Sequence, residues 1–230
     1  MKNVFLIFGY GVPRDIFKDE HYNFYLKMVF NRIYDVTTES AIKNPLIIFT
    51  GGKTDCIVKP FRRSEAGEMI KFMKSLMKRS FVRRATGGWT LVLEPKAIST
   101  LENFLFSKAI LQKRKIRKAN VFLFCEKSRE RRIKILAKKI LGKNYCIKVI
   151  PIDFDISSNR YAGREFLAKK EALELKHSAW VLQSPENLKK HHEAFAEKLT
   201  YLRTVKPEDH VKAIKKWWES KMKEAEKIEG

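Results

Sequence analysis

The chain has 230 residues, with 48 Lys and Arg against 26 Asp and Glu for a formal net charge of +22, and 44% of it is hydrophobic. That length suits one large domain or a domain with a smaller addition, and the apolar share is ample for a packed core. Three widely spaced cysteines (Cys56, Cys125, Cys146) imply no disulfide framework. The longest apolar run, VFLIF, is far shorter than the roughly 20 residues of a bilayer span. No secretory leader is legible at the N-terminus, so the expectation is a soluble, cytoplasmic protein.

The first strand-like run is NVFLIF (3–8), followed at once by Gly9-Tyr10-Gly11. PLIIFT (45–50) comes next and ends in Gly51-Gly52. Met69, Phe72, Met73, Leu76 and Met77 then fall at helical spacing and predict an amphipathic helix. TLVLEP (90–95) is the third run. NVFLFC (120–125) is the fourth, and Ile133, Leu136, Ala137, Ile140 and Leu141 mark another helix behind it. CIKVIPI (146–152) is the fifth. Short, continuous apolar runs suit strands buried on both faces, and their alternation with helical stripes predicts an α/β fold. The expected architecture is a Rossmann-like, doubly wound, mainly parallel sheet over 1–156.

After Asp155 strand-like runs cease, and residues 157–230 are expected to form a helical appendage. Its helices are predicted at roughly 160–177, 186–204 and 207–228, with Pro185 and Pro207 at helix starts. Leu188, Phe195, Leu199 and Leu202 make one apolar stripe. Val211, Ile214, Trp218, Met222 and Ala225 make another. Trp217 falls beside this stripe and is expected to be half-buried or to mark a contact surface.

Two motifs fail on spacing. Gly52-Lys53-Thr54 suggests a P-loop, but the loop's first glycine would fall at Ile47, inside a strand. His192-Glu193 suggests a zinc helix, but the second histidine would fall at Ala196, and adjacent His191 and His192 diverge around a helix. No metal is predicted. Gly9-x-Gly11 lacks a third glycine, since Arg14 stands there. Its place at a strand end still matters, because ligands of open α/β sheets bind beyond the carboxyl ends of the strands. The stretch PKAISTLENF (95–104) starts at that same rim. Ser99-x-x-Glu102 has capping-box spacing, which leaves Thr100 and Asn103 free to face the crevice.

Together, Thr50-Gly51-Gly52, Ser64-Glu65-Ala66 and Thr100-x-Glu102-Asn103 resemble the signature of the YdcF-like (SanA/ElyC) family, over roughly residues 3–150. The resemblance implies a Rossmann-like sheet and a nucleotide-like or adenosyl ligand, S-adenosylmethionine among them. Carried over by position, it places Gly9, Gly11, Gly51, Gly52 and Ser64 about the ligand, with Thr100, Glu102 and Asn103 beside them. Glu65 or Glu94 would be the general base and Arg132 the charge stabiliser of a transferase or hydrolase. The chain departs from the pattern after the fourth run: Arg129 stands where members commonly carry a histidine. That removes an imidazole from acid–base work and favours a more anionic ligand.

The charge offers a rival reading. Residues 53–84 hold ten Lys and Arg against three acids, and residues 108–148 hold fifteen against two. Such concentrations attract phosphates. The alternative function is therefore a nucleic-acid or ribosome-associated binding module using these two faces, and a weaker one is attraction to an anionic lipid surface.

Overall fold

Residues 2–8 alternate nothing: Val4 to Phe8 are all fully buried, and they form the middle of a sheet. In the computed structural model, which describes residues 1–9, 16–54, 63–153, 163–206 and 209–229, this is strand β1 (Lys2–Phe8). It pairs in parallel with β2 (Leu46–Thr50) on one side and β4 (Ala119–Glu126) on the other. Strand β3 (Thr90–Glu94) lies beyond β2, and β5 (Tyr145–Ile152) beyond β4. The order β3-β2-β1-β4-β5, all parallel, is that of a doubly wound sheet. Phe5 and Phe122 are register partners and stack at 4.8 Å, so the strands at the sheet's centre are also bonded by aromatic contact.

The edges differ from the double-sided burial that their sequences suggest. β3 and β5 are half exposed, with Leu93 at 43%. An edge strand has a neighbour on one side only, which is also why Pro151 is tolerated in β5.

Helices link the strands: α1 (Glu20–Glu39), α2 (Glu65–Met77), α3 (Ser80–Thr86), α4 (Thr100–Lys113) and α5 (Glu130–Leu141). Asp19 caps α1 by accepting from the Tyr22 amide, and Ser64 caps α2 by accepting from the Gly67 amide. The stripes predicted on α2 and α5 face the core: Met69, Phe72, Met73 and Leu76, then Ile133, Leu136, Ala137, Ile140 and Leu141, are buried, and Met77 is half-buried. Burying each such side chain is worth about 1.5–3 kcal/mol before chain entropy is counted.

The chain divides into two compact units, Met1–Asp153 and Phe154–Gly230. In the second, α6 (Arg164–Val181), α7 (Pro185–Thr204) and α8 (His210–Glu229) pack together. Pro185 opens α7 behind the Ser184 cap; Pro207 lies outside the described residues. Phe195, Leu199, Leu202 and Trp218 are buried, while Trp217 is half-buried against Phe195 and Trp218. Among the described residues, no helix is long and apolar enough to cross a membrane.

Candidate functional site

The sheet's order reverses between β1 and β4. Strands are added on one side of β1 up to β3, and α4 then carries the chain back to β4 on the other. In open α/β sheets such a reversal of order is the place where ligands bind, beyond the carboxyl ends of the strands. Tyr25, fully buried on α1, bridges β1 and β4 near those ends. Its hydroxyl reaches the carbonyl of Phe8 at 2.7 Å and that of Phe124 at 3.3 Å. Burial, foremost, pushes that phenol well above its ordinary value, so it stays a neutral donor.

Glu65 sits at this rim, in the first turn of α2. Its carboxylate lies directly on Gly9, at the end of β1, where a side chain's Cβ would fall inside the carboxyl group. A Cβ on Gly51 would meet Glu65 Oε2 at 2.7 Å, and Gly51 has a φ of +141° that suits glycine alone. The two glycines thus leave the space into which the carboxylate fits. The Tyr22 hydroxyl donates to Glu65 Oε1 at 2.5 Å, and the Thr54 hydroxyl approaches Oε2 at 3.5 Å.

Gly51 and Gly52 hold the neighbouring elements in place. Their carbonyls accept from the amides of Ala66 (3.0 Å) and Glu65 (2.9 Å). Their own amides donate to the carbonyls of Glu94 (3.1 Å) and Ala97 (2.6 Å). The first amides of α2 are therefore satisfied by protein, as is that of Gly67 by Ser64, whose role is a cap.

Glu94 ends β3, buried, with its carboxylate turned back to the amides of Lys96 (2.8 Å) and Ala97 (3.2 Å). Burial raises its pKa, against the opposing pull of those amides. Its oxygens hold the β3–α4 loop. At the start of α4 half of the expected capping box is formed: Ser99 Oγ accepts from the Glu102 amide at 3.2 Å, but Glu102 Oε2 accepts from the Ile98 amide at 2.7 Å, one residue before the Ser99 amide that the box would use. Glu102 is buried and Thr100 half-buried. Asn103 is different: its Oδ1 is buried with no hydrogen-bond partner. A buried acceptor left unsatisfied costs about 1–3 kcal/mol; among the described residues Trp89 Nε1 and Ser107 Oγ likewise lack a partner.

Cations come from the β4 side. Glu126 is buried and accepts from the amide (2.8 Å) and hydroxyl of Ser128, capping a 3-10 turn over Lys127–Arg129. That turn brings Arg129 Nη1 to the Gly9 carbonyl at 2.8 Å. Arg132, one turn later on α5, is 4% exposed. Gly9 consequently carries a carboxylate against its Cα and a guanidinium on its carbonyl oxygen.

Of the residues singled out in the sequence, Gly9, Gly51 and Glu65 meet at one point, and Gly52 and Ser64 adjoin it. Glu94 and Glu102 are engaged with local amides. Gly11 lies outside the described residues. Tyr22, Tyr25 and Thr54 were not legible beforehand. The spacing of Tyr22 and Tyr25, three apart on one helix face, was the available signal. Among the described residues no three metal-ligating side chains converge. Comparison with protein-family models, curated proteins and solved structures gave no match to this chain.

Proposed function

We propose that the protein binds a small adenosyl or nucleotide-like ligand, S-adenosylmethionine being the first candidate, in the crevice beyond the carboxyl ends of β1 and β4. The observation that carries this reading is the juxtaposition at Gly9: a carboxylate and a guanidinium on either side of one backbone position, with Tyr25 bridging the ends of β1 and β4 beside them. A ligand with hydroxyl or ammonium donors at one end and an acidic group at the other matches that pair. Glu65 accepts from a ribose or an ammonium group, Arg129 and Arg132 take the anion, and the orphaned Asn103 Oδ1 accepts a further donor. Glu65 is also the general base in a transferase or hydrolase reading, since Glu94 is tied to its own loop.

Titration calorimetry with S-adenosylmethionine, S-adenosylhomocysteine, ATP and AMP tests this. Asn103→Ala should weaken the bound compound about tenfold to a hundredfold, the loss of one buried hydrogen bond. Ser99→Ala should lower folding stability by about 1 kcal/mol and leave affinity unchanged. Failure of all four compounds to bind, or native affinity in Asn103→Ala, overturns the reading.

One feature favours nucleic-acid binding as a second reading. On α3 the exposed Phe81 (74%) is flanked by exposed Arg79, Arg83 and Arg84, none of which has an ion pair among the described residues. Stacking and phosphate neutralisation need that combination.

A further inference from the structure

The opposite edge of the sheet carries a second concavity. A cavity of about 420 Å³ opens at the amino ends of β1, β2 and β3, and five cationic residues line it: Lys2, Arg114, Lys115, Arg117 and Lys118. The remaining lining residues are Leu46, Thr90 and Ile116, so no acid and no aromatic ring lines it. Lys2 Nζ donates to the Asn44 carbonyl at 2.7 Å. Among the described residues, the other four have no ion pair. Elsewhere the chain's lysines pair along helices, as Lys169 does with Glu165 and Lys190 with Glu186.

The turn that assembles the cluster is costly. Helix α4 ends in a Schellman motif: the Lys115 amide donates to the Gln112 carbonyl and the Ile116 amide to that of Leu111, both at 2.9 Å. Lys115 occupies the left-handed position, φ +56°, that glycine normally fills. A lysine there is strained relative to glycine and gains no ion pair among the described residues. A helix's C-terminal dipole attracts cations within its last turn. That accounts for Arg114, but not for Arg117, Lys118 or Lys2, which lie beyond it on the following loop and on another strand.

We propose that this cavity binds a linear oligophosphate, either an inorganic one or the polyphosphate end of a nucleotide. Several closely spaced anionic groups are needed to offset five like charges. Guanidinium groups grip phosphate oxygens in pairs, while ammonium groups supply point charge. The volume is that of a small-ligand pocket, and without an aromatic lining there is no platform on which bases could stack. This site is independent of the crevice at the carboxyl edge.

Titration calorimetry on the full chain at 50 and 200 mM salt tests the proposal with tripolyphosphate, orthophosphate, ATP, AMP and a single-stranded RNA oligonucleotide. Tripolyphosphate should bind at least a hundredfold more tightly than orthophosphate, and more weakly at the higher salt. Arg117→Ala and Lys118→Ala should each weaken it about tenfold. Lys115→Gly should raise the melting temperature and still weaken tripolyphosphate, an outcome that a merely structural lysine does not give. ATP competing with tripolyphosphate where AMP does not identifies a nucleotide tail as a source; no competition by ATP identifies the inorganic chain. Absence of tripolyphosphate binding at 50 mM salt, equal affinity in the Arg117→Ala, Lys118→Ala double variant, or tighter binding of RNA than of tripolyphosphate overturns it.

Discussion

Gly9→Ala tests how the site is built. The added methyl falls where the Glu65 carboxyl group now lies, so one of the two must move. Gly9 follows directly on Phe8, which is still paired with Thr50 of β2, whereas the carboxylate ends a flexible side chain, so the side chain yields. Glu65 then gives up the hydrogen bond from Tyr22, 2.5 Å long and made to a charged group, which is worth about 1.5–3 kcal/mol. The Tyr22 hydroxyl, in a side chain with no solvent exposure, is also left to find another partner. The expected loss is about 2–3 kcal/mol, or a melting temperature lower by roughly 5–10 °C for a unit of this size. Glu65→Ala removes the obstacle, so Gly9→Ala in that background should cost no more than about 0.5 kcal/mol. The four proteins of this cycle are compared by calorimetry and by urea unfolding followed by circular dichroism. A coupling of about 2 kcal/mol is the prediction. If Gly9→Ala costs as much without Glu65 as with it, the close fit of glycine to carboxylate is not what shapes the rim.

Two further predictions concern buried titratable groups. In the helical unit, His177 Nε2 and His191 Nδ1 lie 3.0 Å apart, and burial, foremost, depresses both rings, His191 to about 4. The unfolded chain therefore binds more protons below pH 6.5, so stability is full above that pH and falls as pH drops towards 4. His191 alone should account for about 2 kcal/mol between pH 6.5 and 5. Urea midpoints across that range should flatten in His191→Phe, and an unchanged slope would refute the assignment. The Cys125 thiol is fully buried and pushed up to about 12 by that burial, whereas Cys146 is exposed. Iodoacetamide at pH 8 should label Cys146 in the native protein and Cys125 only in denaturant; mass spectrometry showing both labelled at one rate would contradict this.

Periodicity determined much of the fold. Runs such as VFLIF are too apolar to leave either face in water, and stripes such as Ile133 to Leu141 have one face to hide, so strands, helices and their alternation follow from local pattern. The Ser99–Glu102 cap was legible for the same reason: its atoms are four residues apart or closer, and capping geometry is local. Helix α1 carries both tyrosines of the site within a buried stripe of helical spacing, Tyr22, Tyr25, Leu26, Val29, Phe30 and Ile33, but periodicity does not tell which hydroxyls meet Glu65 and the strand ends. What only tertiary structure decided is the order of the strands, and with it the meeting of residues distant in the chain. Gly9, Glu65 and Arg129 are separated by 56 and 64 positions, and nothing local constrains their approach. Parallel pairing of β1 with β2 and β4 brings them together, because every carboxyl end then lies on one edge. The same pairing gathers Lys2 and the 114–118 turn at the other edge. Their sequence showed only that the charge was dense; which cations share a cavity, and that no acid joins them, was set by the sheet.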